Sequence, residues 1–171
     1  MRKLVSDLPT KLLVLCAAWS ALLMVALPGP AGAAGSWTWP VAGPVIRAFD
    51  PPENPFGSGH RGIDIAAAVG TPVRAAAGGT VTFAGPVGGR LFVTIDHGGG
   101  LESTYSFLDA ITVRKGEVVT KGQVVARSGT GHAGDLVPSL HFGVRLLDVY
   151  VDPLAYLEPV DVSGFIRLAP L

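Results

Sequence analysis

Arg90-Leu91-Phe92-Val93-Thr94-Ile95-Asp96-His97-Gly98-Gly99-Gly100-Leu101-Glu102-Ser103-Thr104-Tyr105-Ser106 places two runs of apolar, β-branched and aromatic residues on either side of three consecutive glycines. Such residues suit a pleated, half-buried surface, and glycine alone takes positive φ without steric cost. The segment predicts an antiparallel hairpin in which strand 90–96 turns at Gly98-Gly99-Gly100 into strand 101–106. The same pattern extends outward in both directions. Residues 41–48, 72–76, 80–84, 110–113, 124–128 and 140–146 read as further short strands bounded by Gly-Gly, Gly-Pro or Lys-Gly. A helical turn is expected only at 153–157, and 158–171 reads as a tail. A turn signal every 8 to 12 residues predicts an all-β fold, antiparallel sheets forming a sandwich or partly open barrel with Gly-rich hairpins.

Composition agrees. The 171 residues include 23 Gly and 14 Pro, scattered along the chain, which disfavours a helical bundle. With 49% apolar residues and no net charge, the chain can bury a core and is not of the disordered class. Thirteen basic residues balance thirteen acidic ones, so no basic footprint for nucleic acid exists. The single Cys16 lies in the N-terminal apolar run and leaves the rest without thiol chemistry.

That apolar run, residues 12–27, carries no charge and follows Arg2, Lys3 and Lys11. Sixteen residues are short for a spanning helix but suit the core of a signal peptide. Pro28-Gly29-Pro30 ends it, and Ala31-Gly32-Ala33 offers small residues for cleavage, so 1–33 is read as a signal peptide. The alternative is a membrane anchor formed by 12–27. Either way the domain, residues 34–157, is expected outside the cytoplasm, secreted or in the cell envelope.

Four histidines remain for chemistry: His60, His97, His132 and His141. In His60-Arg61-Gly62-Ile63-Asp64-Ile65, a period of two puts His60 and Asp64 on one face across Gly62, with Ile63 and Ile65 toward a core. An imidazole and a carboxylate so placed make half of a zinc site, or equally a salt bridge. In Ser139-Leu140-His141-Phe142-Gly143-Val144, Leu140, Phe142 and Val144 face inward while Ser139 and His141 face the other way. His97 stands before the glycine turn and reads as a hairpin residue. His132 and Asp135 belong to the glycine-rich loop Gly129-Thr130-Gly131-His132-Ala133-Gly134-Asp135, which leads into the His141 strand and could bring His132 toward a metal.

The segments His60-Arg61-Gly62-Ile63-Asp64, Gly70-Thr71-Pro72-Val73-Arg74-Ala75 and Gly79-Thr80-Val81 together resemble the lysostaphin-like (LytM-type) zinc metallopeptidases of bacterial cell walls. Ile95-Asp96-His97-Gly98, Thr104-Tyr105, Lys121-Gly122-Gln123, Leu140-His141-Phe142 and Asp152-Pro153 follow in the family's order, so the resemblance covers residues 37–157. It implies a duplicated hybrid motif fold of β-strands and a zinc site at His60, Asp64 and His141. Two His and one carboxylate leave a fourth position open, as catalytic zinc sites do. The resemblance also implies peptidoglycan as the substrate.

Two positions depart from the pattern. The family's His-x-His strand begins here with Ser139, and its Tyr-x-His-Leu motif reads Tyr105-Ser106-Phe107-Leu108. Those two histidines supply general-base and charge-stabilising help, and general acid–base help is typically worth 10²–10⁴-fold. Phenylalanine can provide neither, and serine is a poor base. The sequence thus predicts an endopeptidase of reduced activity, assisted by His132 or Ser139. The alternative is a degenerate domain that binds wall peptides or activates a partner cell-wall hydrolase. A lipoyl-type carrier is discounted because residues 113–125 present no Met-Lys attachment site.

Overall fold

The computed structural model describes residues 36–54, 57–132 and 135–159. The expected signal peptide and all but the first two residues of the expected tail lie outside them. Among the described residues, no helix is long and apolar enough to cross a membrane.

Among the described residues, ten strands make one sheet with antiparallel pairings throughout. They are β1 (Val45–Arg47), β2 (Ile63–Ala66), β3 (Pro72–Arg74), β4 (Gly79–Val87), β5 (Arg90–Asp96), β6 (Leu101–Ile111), β7 (Val118–Val119), β8 (Val124–Ser128), β9 (Ser139–Leu146) and β10 (Val149–Val151). The main path runs β1-β2-β9-β6-β5-β4-β7; β10 pairs with β9, and β8 joins β3 to β6. The sheet does not close into a barrel, and a 3-10 turn at Pro153–Ala155 replaces the longer helical turn expected at 153–157.

The 90–106 segment forms its hairpin. β5 and β6 pair from Leu91 with Leu108 to Asp96 with Glu102, and Gly98, Gly99 and Gly100 have φ of 82°, 64° and 78°. An L-residue with a side chain resists that conformation, so the three glycines permit the turn.

Several expected strand boundaries change: besides β3, which ends at Arg74, and β9, which begins at Ser139, three differences are larger. The chain over 41–48 pairs only at Val45–Arg47, through a register shift. β4 extends to Val87, because Gly88 and Gly89 make a tight turn with positive φ at both residues. The two strands expected at 101–106 and 110–113 are one strand, β6, bent at Phe107. Up to Ser106 it pairs with β9; from Leu108 it pairs with β8. Phe107, with φ of 60°, is where the strand changes partner. An aromatic residue in the left-handed region is uncommon, and such strain gathers at functional sites.

Alternation sets the core. Ile63, Ile65, Val73, Val93, Ile95, Val125, Leu140, Phe142 and Val144 are fully buried. Trp37 bridges to Leu157 and so ties the two ends of the described chain together. Below Trp37 runs a buried polar chain. His97 bonds through Nδ1 to the Gly78 carbonyl (2.8 Å) and through Nε2 to Ser103 Oγ (2.8 Å). Ser103 donates to the Tyr105 hydroxyl (3.1 Å), which accepts the Ala76 N–H (2.7 Å). Burial holds the His97 imidazole below its ordinary pKa and pushes the Tyr105 phenol up to about 12.

The sign for His97 follows. Its folded pKa is depressed, so its contribution to stability is complete above the ordinary value and is lost as pH falls through the lowered one. Melting temperatures measured between about pH 7 and pH 5 are expected to fall more steeply for wild type than for His97→Gln, which carries no titrating ring. Parallel curves for the two proteins would contradict this.

Candidate metal centre

β2 and β9 lie side by side, with Asp64 directly opposite His141 and Ala66 opposite Ser139. The sequence expected one extended stretch from His60 to Ile65. Instead β2 begins at Ile63, Arg61 and Gly62 form a bend, and His60 pairs in an isolated bridge with Asp50. The close approach to β9 at this point requires glycine. A Cβ on Gly62 would lie 2.3 Å from the Phe142 carbonyl oxygen, so only glycine lets the chain pass this close to β9. His60 reaches Asp64 all the same. Its Nε2 is 3.1 Å from Asp64 Oδ1 and 3.0 Å from His141 Nδ1, while its Nδ1 is fixed at 2.7 Å from the Ala48 carbonyl. His141 Nδ1 is 2.8 Å from the same Asp64 oxygen.

His132 completes the group. One ligand atom from each of His60, Asp64, His132 and His141 lies within 4.8 Å of every other. His132 Nε2 approaches Asp64 Oδ1 to 3.4 Å, yet it is buried and makes no hydrogen bond. A buried ring nitrogen without a partner is costly unless something fills its site. Two imidazole nitrogens 3.0 Å apart, beside a shared carboxylate oxygen, also lack enough protons to satisfy one another in neutral form. A divalent cation accepting the nitrogens of His60 and His141 and the oxygen of Asp64 would relieve the crowding and leave His132 Nε2 facing its open position, and this donor set suits zinc.

The electrostatics point the same way. Burial by itself would raise the Asp64 pKa. The hydrogen bond and charge of His141, followed by His60 and His132, outweigh it and hold the carboxyl below its usual range. The His132 imidazole is pushed down, first by burial and further by His141 and His60, against the opposing pull of Asp64 and Asp135.

A short loop delivers His132. Gly131 has φ of 84° and packs directly over Ser139: a Cβ there would come within 2.5 Å of Ser139 Oγ. The His132 N–H donates to Asp135 Oδ2 (3.0 Å), so Asp135 fixes the backbone and stays out of the donor group. The Phe107 ring packs 4.3 Å from the His132 ring and 5.9 Å from that of His141. Arg90 sits over the Phe107 ring at 4.8 Å and donates from Nη1 to the Gly131 carbonyl (2.9 Å).

His60, Asp64 and His141, placed together by the sequence, are together here, and His132 joins them. His97 is elsewhere, against Trp37 at 4.5 Å. Ser139 is fully buried under Gly131 and its Oγ has no hydrogen-bond partner. It therefore lies beneath the loop that carries His132. Ser139→His is expected to overpack this spot and cost about 1–3 kcal/mol, measurable as a shift of the denaturant midpoint. An unchanged midpoint would show that the loop yields without strain. Arg90 escaped the sequence reading, since nothing around Gly88-Gly89-Arg90 marks it.

Residues 58–153 match the family described as Peptidase family M23. The chain is 41% identical over 135 residues to a lipoprotein NlpD/LppB homolog of Pseudomonas aeruginosa, covering 77% of this chain and 43% of that protein. It is 36% identical over 124 residues to the murein hydrolase activator NlpD of Escherichia coli, covering 71% and 31%. A zinc-containing peptidase from Vibrio cholerae superposes with a TM-score of 0.61 at 30% identity, over 74% of this chain and 41% of that one. The chain spans about half the length, or less, of the curated relatives it matches.

Proposed function

Because this chain belongs to peptidase family M23, we propose that it is a zinc endopeptidase of the bacterial cell envelope acting on peptidoglycan peptides. His60, Asp64 and His141 hold the metal in this reading, and residues 1–33 act as a signal peptide. The observation that carries it is the convergence of ligand atoms from His60, Asp64 and His141, with the buried Nε2 of His132 beside them and making no hydrogen bond. Zinc bound there supplies a Lewis acid that polarises the peptide carbonyl. His132 then takes the proton of the attacking water at Nε2, the work that the family resemblance assigns to imidazoles at 107 and 139. Asp135 and Arg90 hold the loop that aims the ring. One assisting imidazole replaces two, so turnover is expected below that of members carrying both.

The test combines zinc content of the purified domain with release of new amino groups from purified peptidoglycan. One zinc per chain and measurable release support the reading. Less than about a tenth of an equivalent after reconstitution at neutral pH would overturn the metal assignment.

Phenylalanine at 107 favours a second reading, in which the domain activates a partner hydrolase rather than cutting. The Escherichia coli relative is named for such an activity. Zinc-loaded protein that releases nothing, but raises the rate of a separately purified murein hydrolase, would establish it.

A further inference from the structure

Charge is balanced in composition but not in space. β3 and β8 pair with Pro72 opposite Arg127 and Arg74 opposite Val124. Cross-strand neighbours share a face, as do residues two apart on one strand. Arg74 and Arg127 therefore project from the same side of this pair, and both are exposed. Arg74 donates from Nη1 to the Gly122 carbonyl (2.9 Å), which sets the Lys121-Gly122 turn beside it. The Glu117 carboxylate accepts from the Gln123 amide (3.4 Å) and from the Arg114 N–H (3.3 Å), so the exposed turn carrying Arg114 and Lys115 adjoins the same surface. Five basic side chains thus stand at this end of the sheet with two acidic ones, Glu117 and Glu158. The other described residues carry four basic and nine acidic side chains, so the domain is electrically two-sided.

Apolar groups accompany the basic ones. Val118, on the edge strand β7 just after the Arg114-Lys115 turn, is 75% exposed. Trp39 is half-buried and donates from Nε1 to the Glu158 carbonyl (2.9 Å), while the Glu158 carboxylate pairs with Lys121. The Lys121 ammonium also donates to the Ser36 carbonyl (2.7 Å), so the described chain starts on this surface. Residues 28–35 separate Ser36 from the uncharged apolar run 12–27, and eight extended residues span at most about 29 Å. While 12–27 lies in a membrane, as export requires, this end of the domain is the one held near it.

We propose that this end rests on a bilayer surface of anionic phospholipid, its basic side chains against lipid phosphates and Val118 and Trp39 at the level of the headgroups. Basic side chains around exposed apolar ones suit the boundary between anionic headgroups and acyl chains, and tryptophan is enriched at that depth. The proposal takes only export from the functional reading, and it stands whether or not the domain cuts peptide bonds.

The test is co-sedimentation of the zinc-loaded chain without residues 1–33, using vesicles of phosphatidylglycerol mixed with phosphatidylcholine or of phosphatidylcholine alone. Binding to the first only, weakened by added salt, is expected. Each basic residue near an anionic bilayer is worth about fivefold, so Arg114→Gln combined with Lys115→Gln should weaken binding at least about twentyfold. Neither of these side chains makes a hydrogen bond or ion pair among the described residues, so the fold does not depend on them. Arg47→Gln, an equally exposed arginine on β1, should bind as wild type does. Val118→Ser should weaken binding at least about threefold through lost apolar contact. No binding to anionic vesicles, equal binding to both kinds, or undiminished binding by the double variant would overturn the proposal. Wild-type binding by Val118→Ser would also overturn it, by assigning the surface to a soluble polyanion. None of these outcomes alters zinc content or peptidoglycan release, so the peptidase reading stands or falls separately.

Discussion

Asp64→Ala is expected to lower zinc affinity at least about 100-fold, beyond the 10–100-fold that loss of a partner outside the ligand shell brings. Asp64 is the hub of the group: one of its oxygens meets ring nitrogens of His141, His60 and His132 at 2.8, 3.1 and 3.4 Å. It is also almost wholly buried, and nothing else among the described residues supplies a carboxylate there. Removing it leaves three imidazoles crowded together with no anion between them. Asp64→Asn keeps the shape and removes the charge, so it separates loss of the ligand from loss of packing. Competition with a chelating dye reads the affinity. Melting temperature with and without zinc gives an independent reading, because a ligand that binds only the native state stabilises it by RT ln(1 + [L]/Kd). Wild type should melt higher with zinc and both variants should not. An Asp64→Asn protein that binds zinc as wild type does would remove Asp64 from the ligand set.

The second large effect belongs to His132→Ala. Zinc should stay bound to His60, Asp64 and His141, while peptidoglycan turnover falls by about 10²–10⁴-fold, the usual worth of a positioned acid–base group. The space that the ring leaves is bounded by Phe107 at 4.3 Å. Adding Phe107→His to His132→Ala should therefore return an imidazole to the site and recover at least about tenfold of the lost rate. Loss of zinc in His132→Ala would instead mark His132 as a metal ligand. Unchanged turnover with zinc in place would mark it as a bystander.

Periodicity made most of the architecture readable. Alternation in Ile63-Asp64-Ile65 and in Leu140-His141-Phe142 sends the apolar side chains into a fully buried core and turns Asp64 and His141 the other way. The antiparallel register then brings those two residues face to face. The glycine triplet fixed one hairpin because positive φ at three successive residues leaves few other choices. What escaped the reading was decided by contacts between distant segments. The need for glycine at 62 comes from the Phe142 carbonyl, 80 residues further along the chain. Phe107 appeared to end a strand, but it marks where β6 exchanges β9 for β8. Ser139 shares a strand face with His141, yet Gly131 covers it, and no period of two can report a loop folding over a strand. The same covering explains His132. Its sequence context said only that a glycine-rich loop preceded β9, and the positive φ of Gly131, the grip of Asp135 and the Phe107 ring together aim it at the group.

The most direct test is a single comparison: new amino groups released from purified peptidoglycan by wild type and by His132→Ala, each holding one zinc per chain. The account predicts release by wild type and a rate lower by about two orders of magnitude or more for the variant. Equal rates for the two proteins, or no release by zinc-loaded wild type, would contradict it.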